Sequence, residues 1–345
     1  MAETSANEFP VDPQAAAERL SAMQAEIRRL MIEGRDAGPD WSDVSRSDEA
    51  DTIYAVDALV EPAIEEHMAR WGDETPLVLI AEGVLNEHGE EGPRVFPEGT
   101  TEEDALIRVI LDPIDGTRGI MYDKRPAWSL GGVAANKGPR AGLRDIFAAA
   151  MTELPTSKMG HADVLTATKG GGAVCRRVDL RTGESRTFTP RPSTASKIDH
   201  GFATVSNFFP GTKAIAASMM EEIVAKLIGE ADVTRATVFE DQYISTGGQW
   251  YELIVGHDRF IADLRPAFYK AQGQPEGLCC HPYDCATLLV AEEAGVVITD
   301  AQDRPLDAPL DLTTGIDWLG YANERLRQAI EPVALNYLAD RTRHG

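Results

Sequence analysis

The sequence is short of positive charge, cysteine and aromatic residues, and it has no long apolar run. Only 33 lysines and arginines stand against 56 aspartates and glutamates, giving a net charge of −23. Nucleic acid and anionic membrane surfaces would be repelled by such a chain, so neither is expected as a partner. Four cysteines (Cys175, Cys279, Cys280 and Cys285) make no disulfide framework in 345 residues, which fits a reducing compartment. No stretch approaches the ~18 apolar residues of a membrane span, and residues 1–10 lack the basic and apolar regions of a signal peptide. The expected location is the cytoplasm. With 7% aromatic, 43% hydrophobic and 26% charged residues, the remaining balance is that of an ordinary globular protein. The length allows either two subdomains or one large layered domain.

Periodicity places the first elements. Asp12-Pro13 reads as an N-cap with proline at the first helical position, and Leu20, Met23, Ile27, Leu30 and Met31 continue a helix to about Glu33. Residues 34–47 read as a loop. A second helix is expected from about Thr52 to Trp71, striped by Ile53, Val56, Val60 and Ile64, with Pro62 either kinking it or dividing it in two. The period then changes. Residues 77–81 are a continuous apolar run and residues 107–111 one broken only by Arg108, the pattern of buried strands, and each is closed by an acid, Glu82 and Asp112.

Further strands are expected at 128–134, 146–151 and 164–168, the last leading into a hairpin turn at Gly170-Gly171-Gly172. That triplet lacks the pattern of a phosphate-binding P-loop. Residues 178–198, rich in Arg, Thr, Ser and Pro, mark the expected boundary between an N-terminal α+β half (1–190) and a C-terminal α/β half (191–345). Beyond it a helix at 212–228, extended segments at 249–254 and 259–264, a helix at 285–294 and a strand at 296–299 are expected. Cys279-Cys280-His281 and Cys285 suggest zinc by residue type, but no second ligand pair stands elsewhere, and buried cysteines beside a helix start are the plainer reading.

The segment Leu111-Asp112-Pro113-Ile114-Asp115-Gly116-Thr117 concentrates chemistry. Proline cannot continue a strand ladder, so the chain is expected to leave the sheet at Pro113 and free the Ile114 carbonyl as an oxygen ligand. Asp112 and Asp115 then face one cleft. Gly116 permits a tight turn, and the amides of Gly116 and Thr117, if they open a helix, face an incoming phosphate. Hard divalent cations take such oxygen ligands, whereas Asp-Pro and Asp-Gly also occur as ordinary turn formers.

Asp112-Pro113-Ile114-Asp115-Gly116-Thr117 resembles the signature of the inositol monophosphatase-like family, magnesium-dependent phosphatases related to fructose-1,6-bisphosphatase. Ile80-Ala81-Glu82 resembles that family's first metal-binding glutamate. Pro282-Tyr283-Asp284-Cys285-Ala286 followed by Glu292-Glu293-Ala294-Gly295 resembles its second signature, an aspartate opening a helix, and Asp57 matches the aspartate paired with the signature threonine. The resemblance runs from about residue 15 to 335. Gly83 stands where the family carries a second acid, Tyr283 precedes Asp284 where tryptophan is usual, and Thr287-Leu288 replaces a small pair. Asn207-Phe208-Phe209-Pro210-Gly211 and Asp263-Leu264-Arg265-Pro266 match no specificity motif.

The resemblance implies an alternating layered αβαβα sandwich of the sugar-phosphatase type, combining α+β and α/β halves. It also implies two or three Mg²⁺ ions, a small phosphorylated substrate and a homodimer. Glu82, Asp112 and the Ile114 carbonyl would hold the ion that activates a water, which Thr117 and Asp57 deprotonate and aim. Asp112, Asp115 and Asp284 would hold the ion at the leaving oxygen, with Gly116 and Thr117 binding the phosphate. The expected activity is hydrolysis of an inositol monophosphate-like monoester, sensitive to lithium. A phosphatase for a sugar bisphosphate or nucleoside 3′,5′-bisphosphate, and a non-catalytic metal-binding regulator, stand beside it as alternatives.

Overall fold

A computed structural model describes residues 9–37, 44–47, 52–86, 88–229 and 234–342. The first helix, α1 (Pro13–Ala37), starts where Asp12 accepts the Gln14 amide at 3.0 Å. It runs past Glu33 into the expected loop, whose end pairs as a short hairpin, β1 (Val44–Ser47) with β2 (Thr52–Tyr54). The second helix, α2 (Ala55–Glu74), therefore begins later than its stripe suggests, and it is one helix with Pro62 inside rather than two pieces. Its described stripe is real: Val60, Ile64 and Met68 are buried.

The chain continues through β3 (Leu77–Ala81), β4 (Arg94–Phe96), β5 (Ile107–Asp115), α3 (Thr117–Met121), β6 (Ala127–Ala135), β7 (Ile146–Leu154), β8 (His161–Thr168), β9 (Gly172–Asp179) and β10 (Ser185–Phe188). These strands form an eight-stranded sheet in the order β10-β9-β8-β7-β6-β5-β3-β4. Only β3 and β5 run parallel; every other neighbouring pair is antiparallel. The glycine triplet turns between β8 and β9, as its composition predicts.

After residue 200 come β11 (Gly201–Val205), α4 (Lys213–Ile228), β12 (Val238–Phe239), α5 (Thr246–Ile254), β13 (Asp258–Asp263), α6 (Arg265–Ala271), α7 (Leu288–Ala294), β14 (Val297–Thr299), β15 (Trp318–Tyr321) and α8 (Glu324–Thr342). Their strands make a second sheet of five, ordered β12-β11-β13-β15-β14. The extended reading of 249–254 is overturned. Trp250 and Tyr251 suggest a strand by residue type, but Ser245 caps a helix there by accepting the Gly248 amide at 2.8 Å.

The layers alternate. Helices α1 and α2 cover one face of the large sheet, α5 and α7 lie between the sheets, and α4 and α8 cover the far face of the small sheet. Burial on both faces explains the continuous apolar run of β3 and the nearly continuous one that opens β5, where Arg108 is buried as well. Leu77, Leu79 and Ala81 enter the core beneath α1 and α2, whereas Val78 and Ile80 enter a second core shared with the small sheet. At about 25 cal/mol per Å² of apolar surface buried, these two cores supply the main stabilisation.

Inside this interior the acid Glu153 is 7% exposed, and burial lifts its pKa to about 7 although the Asp163 amide donates to it at 2.9 Å. A raised folded pKa means that its stabilising contribution is complete below the unfolded value and lost as pH rises through 7. Glu153→Gln is expected to raise stability at pH 8 by up to about 3 kcal/mol and to change it little at pH 4, each pKa unit being worth about 1.4 kcal/mol. Thermal denaturation at the two pH values reads the difference. Equal shifts at both would show that the acid is not protonated in the folded interior.

Candidate metal centre and phosphate site

The carboxyl ends of the two parallel strands build the site. Leu111 pairs with Ala81, and the Glu82 amide donates to the Leu111 carbonyl at 3.2 Å, so Glu82 comes directly beside Asp112. The expectation that the chain leaves the sheet at Pro113 is corrected here. Strand β5 continues to Asp115 through a bulge: Asp112 opposes Leu130 and Asp115 opposes Trp128, three residues against two. Residues three apart on a regular strand face opposite ways, and one extra residue reverses the parity. Ile107, Val109 and Leu111 enter the core under α1 and α2, and Ile114 joins them, which is the even-numbered position that parity reversal requires. Asp112 and Asp115 therefore share a face. Proline's missing N–H explains why the bulge sits at this point.

Asp284 completes the group from the other half. It does not open a helix as expected; it lies in consecutive turns over 282–287, four residues before α7. Gly132 of β6 admits those turns, because a Cβ there would stand 2.6 Å from the Ala286 carbonyl oxygen. One ligand oxygen each from Asp112, Asp115 and Asp284 lies within 4.8 Å of the others.

The electrostatics show what this costs. Burial, then the nearby Glu82, Asp115 and Asp284 carboxylates, push the Asp112 pKa well above the ordinary range. Burial and the Asp115 charge do the same to Asp284, against the donation of the His281 amide at 2.7 Å. Asp115 is lifted to about 6 by burial, and held from rising further by the Gly247 amide at 2.6 Å and the Ser245 hydroxyl at 2.8 Å. With Asp112 and Asp115 buried and Asp284 partly so, joint ionisation of three carboxylates at this spacing is strongly disfavoured without a cation. The donors are all oxygen, the set that suits Mg²⁺, Ca²⁺ or Mn²⁺ rather than zinc. The cysteines belong to no ligand group among the described residues: Cys280 and Cys285 are buried thiols, the plainer reading above.

Gly116 adopts φ 95°, and a Cβ there would stand 3.1 Å from both the Ile244 carbonyl and Ser245 Cβ, so this position needs glycine on two counts. Thr117 opens α3, and its hydroxyl donates to the Ile114 carbonyl at 2.8 Å, using one lone pair of that predicted ligand oxygen. Glu82, Ile114, Asp115, Gly116, Thr117 and Asp284 line one cavity of about 480 Å³. Asp57 lies on α2, but its side chain is outside the described residues, as is any contact with Thr117.

Sequence reasoning missed Ser245 and Gly247, which anchor Asp115 from the start of α5. A serine before an apolar stretch is an N-cap signal and would have located the helix, though not its partner. Ser245→Ala removes the cap and a hydrogen bond to a buried carboxylate. It is expected to cost about 1–3 kcal/mol and to lower the melting temperature by several degrees. A scan unchanged within a degree would show that the cap carries no load.

No family model and no curated relative matches the sequence. Solved structures do match. The extragenic suppressor protein SuhB from Bartonella henselae is 18% identical, with 93% of this chain and 98% of that one covered at a TM-score of 0.59. The fructose-1,6-bisphosphatase of Leishmania major, in its holo form, is 14% identical, with coverage of 94% and 92% and a TM-score of 0.64. An inositol monophosphatase from Zymomonas mobilis is 16% identical, with coverage of 94% and 96% and a TM-score of 0.53. The αβαβα sandwich expected from the sequence is thus the observed architecture, and the chain has the fold shared by inositol monophosphatase and fructose-1,6-bisphosphatase structures.

Proposed function

We propose that the protein is a divalent-cation-dependent phosphatase acting on a small phosphate monoester. The observation that carries this is the convergence of Asp112 and Asp115, buried at the end of β5, with partly buried Asp284 from the turns before α7, beside a cavity lined by Gly116 and Thr117. Asp112, Asp115 and Asp284, with Glu82 and the Ile114 carbonyl beside them, would hold two or three Mg²⁺ ions. When bound, such ions lower the pKa of water and neutralise phosphoryl charge.

The chain's own groups do the rest. Gly116 and Thr117 seat the phosphoryl oxygens at the turn before α3. The Thr117 hydroxyl donates to Ile114 and keeps lone pairs that can accept a water proton. As its oxygen takes the water proton, the Thr117 O–H would turn from the Ile114 carbonyl and pass its own proton to Asp57 on α2. Water adds to phosphorus in line as the ester P–O bond breaks, yielding an alcohol and inorganic phosphate with no phosphoenzyme. Ser245 and Gly247 fix Asp115 so that it presents one oxygen to the cleft.

The solved neighbours named for inositol monophosphate and fructose bisphosphate hydrolysis share this fold, and an inositol monophosphate-like monoester is the first substrate to try. The alternative of a regulator without turnover rests on Gly83, which stands where a second acid is expected. The test is inorganic phosphate released from a panel of monoesters with magnesium, with a chelator and with millimolar lithium. Release with magnesium, lost with the chelator, is expected, and lithium is expected to inhibit. No release from any ester would overturn the reading; insensitivity to lithium would remove only that feature.

A further inference from the structure

The lining of the cavity beside the carboxylates includes a buried cation. Arg265 is 6% exposed and lines the cavity with Phe208 and Phe209. Its guanidinium lies 5.5 Å and 5.4 Å from the centres of those two rings. Asp263, with no exposed surface, grips it by a fork: Nε donates to Oδ1 at 2.8 Å and NH2 donates to Oδ2 at 2.6 Å. NH1 donates to the Leu278 carbonyl at 3.1 Å. A guanidinium has five N–H bonds, and these acceptors use three. Two remain among the described residues, on a side chain whose stem and plane are already fixed.

A buried salt bridge of this kind stabilises little in itself, because desolvation offsets the attraction. Its value lies in orientation. A clamped arginine loses almost no further freedom when it meets an anion, and its planar fork suits carboxylate and phosphate. The Arg265 charge acts on both Asp115 and Asp284, lowering the pKa of each against their burial. The two sequence segments that match no specificity motif, 207–211 and 263–266, are the ones that build this part of the lining.

We propose that Arg265, clamped by Asp263 and seated on Phe208 and Phe209, recognises a second anionic substituent, a carboxylate or a second phosphate, on the phosphorylated substrate. The inference rests on the phosphatase reading. A chain of net charge −23 has few means of holding a doubly anionic ligand, and this arginine is one placed at the site itself.

Calorimetric binding with calcium ions present tests it, since calcium takes the same oxygen ligands. Two ligand pairs separate the sources: fructose 1,6-bisphosphate against fructose 1-phosphate, and 3-phosphoglycerate against glycerol 3-phosphate. In the parent, at least one doubly anionic member is expected to bind about tenfold more tightly than its partner. In Arg265→Gln that ratio is expected to fall to within about twofold of unity. Removing the arginine leaves Asp263 buried and alone, so the double variant Arg265→Gln/Asp263→Asn is measured beside it with the same expectation. A ratio near unity for both pairs in the parent, or a preference that survives in the variants, overturns the proposal. Phosphate release with magnesium, followed separately, reports on the phosphatase reading alone.

Discussion

Replacing Asp112 by asparagine is expected to cut phosphate release by roughly 10³-fold or more while making the cation-free protein harder to melt. The two effects have one origin. Asp112 is the most crowded of the acids, 1% exposed and pressed by Glu82, Asp115 and Asp284. Without a cation this repulsion burdens the fold; with one, the same charge is what holds it. The amide keeps the shape and can still accept the Ile114 N–H, which donates to Asp112 at 3.0 Å. It also offers an N–H to Glu82 where a protonated carboxyl would otherwise be needed. The melting temperature without divalent ions should therefore rise by a few degrees, and the rise that added magnesium produces in the parent should shrink. Release within about tenfold of the parent, a loss below about 1.4 kcal/mol, would show that Asp112 does not hold the cations.

Thr117→Ala and Asp57→Asn are each expected to lower turnover on the order of 10²-fold, within the span of general-base catalysis. Both together are expected to cost little more than either alone. Groups that pass one proton act as a unit, so their losses do not multiply. The Thr117 hydroxyl is fixed by its donation to Ile114 at 2.8 Å, so alanine removes a positioned acceptor rather than a loose one. Magnesium dependence should be little changed, because neither group is placed among the ligands. Losses that multiply in the double variant would show that the threonine and the aspartate act separately.

Much of this site was legible because the large sheet is buried on both faces. Short runs that are apolar but for Arg108, with no regular polar alternation, read as inner strands, and an acid at the end of each then stands at a sheet margin. Asp112 and Asp115 do come together, though not by the exit from the sheet that the sequence suggested. Proline does exclude a regular ladder, but a bulge satisfies that exclusion as well as an exit from the sheet does, and only strand pairing distinguishes them. Helix α5 was misread because Trp250 and Tyr251 favour strands locally, whereas their burial between two sheets is a tertiary effect. The clamp of Asp263 on Arg265 had no sequence signal. Two residues apart, they read as ordinary surface charges until the fold puts both inside.

The site takes Glu82, Asp112 and Asp115 from the first half of the chain and Asp284 from a turn about 170 residues later. At ribosomal speeds of ~5–20 residues per second, the early acids wait on the order of ten seconds for their companion. Through most of that interval the large sheet lacks α5, whose first turn holds Asp115, and throughout it lacks α7; both helices cover its inner face. The nascent chain thus carries an apolar sheet face and an unfinished ligand set, and one event completes both. If the carboxylates hold a cation as proposed, its capture would mark burial of that sheet face, and a product ending before Asp284 would lack both.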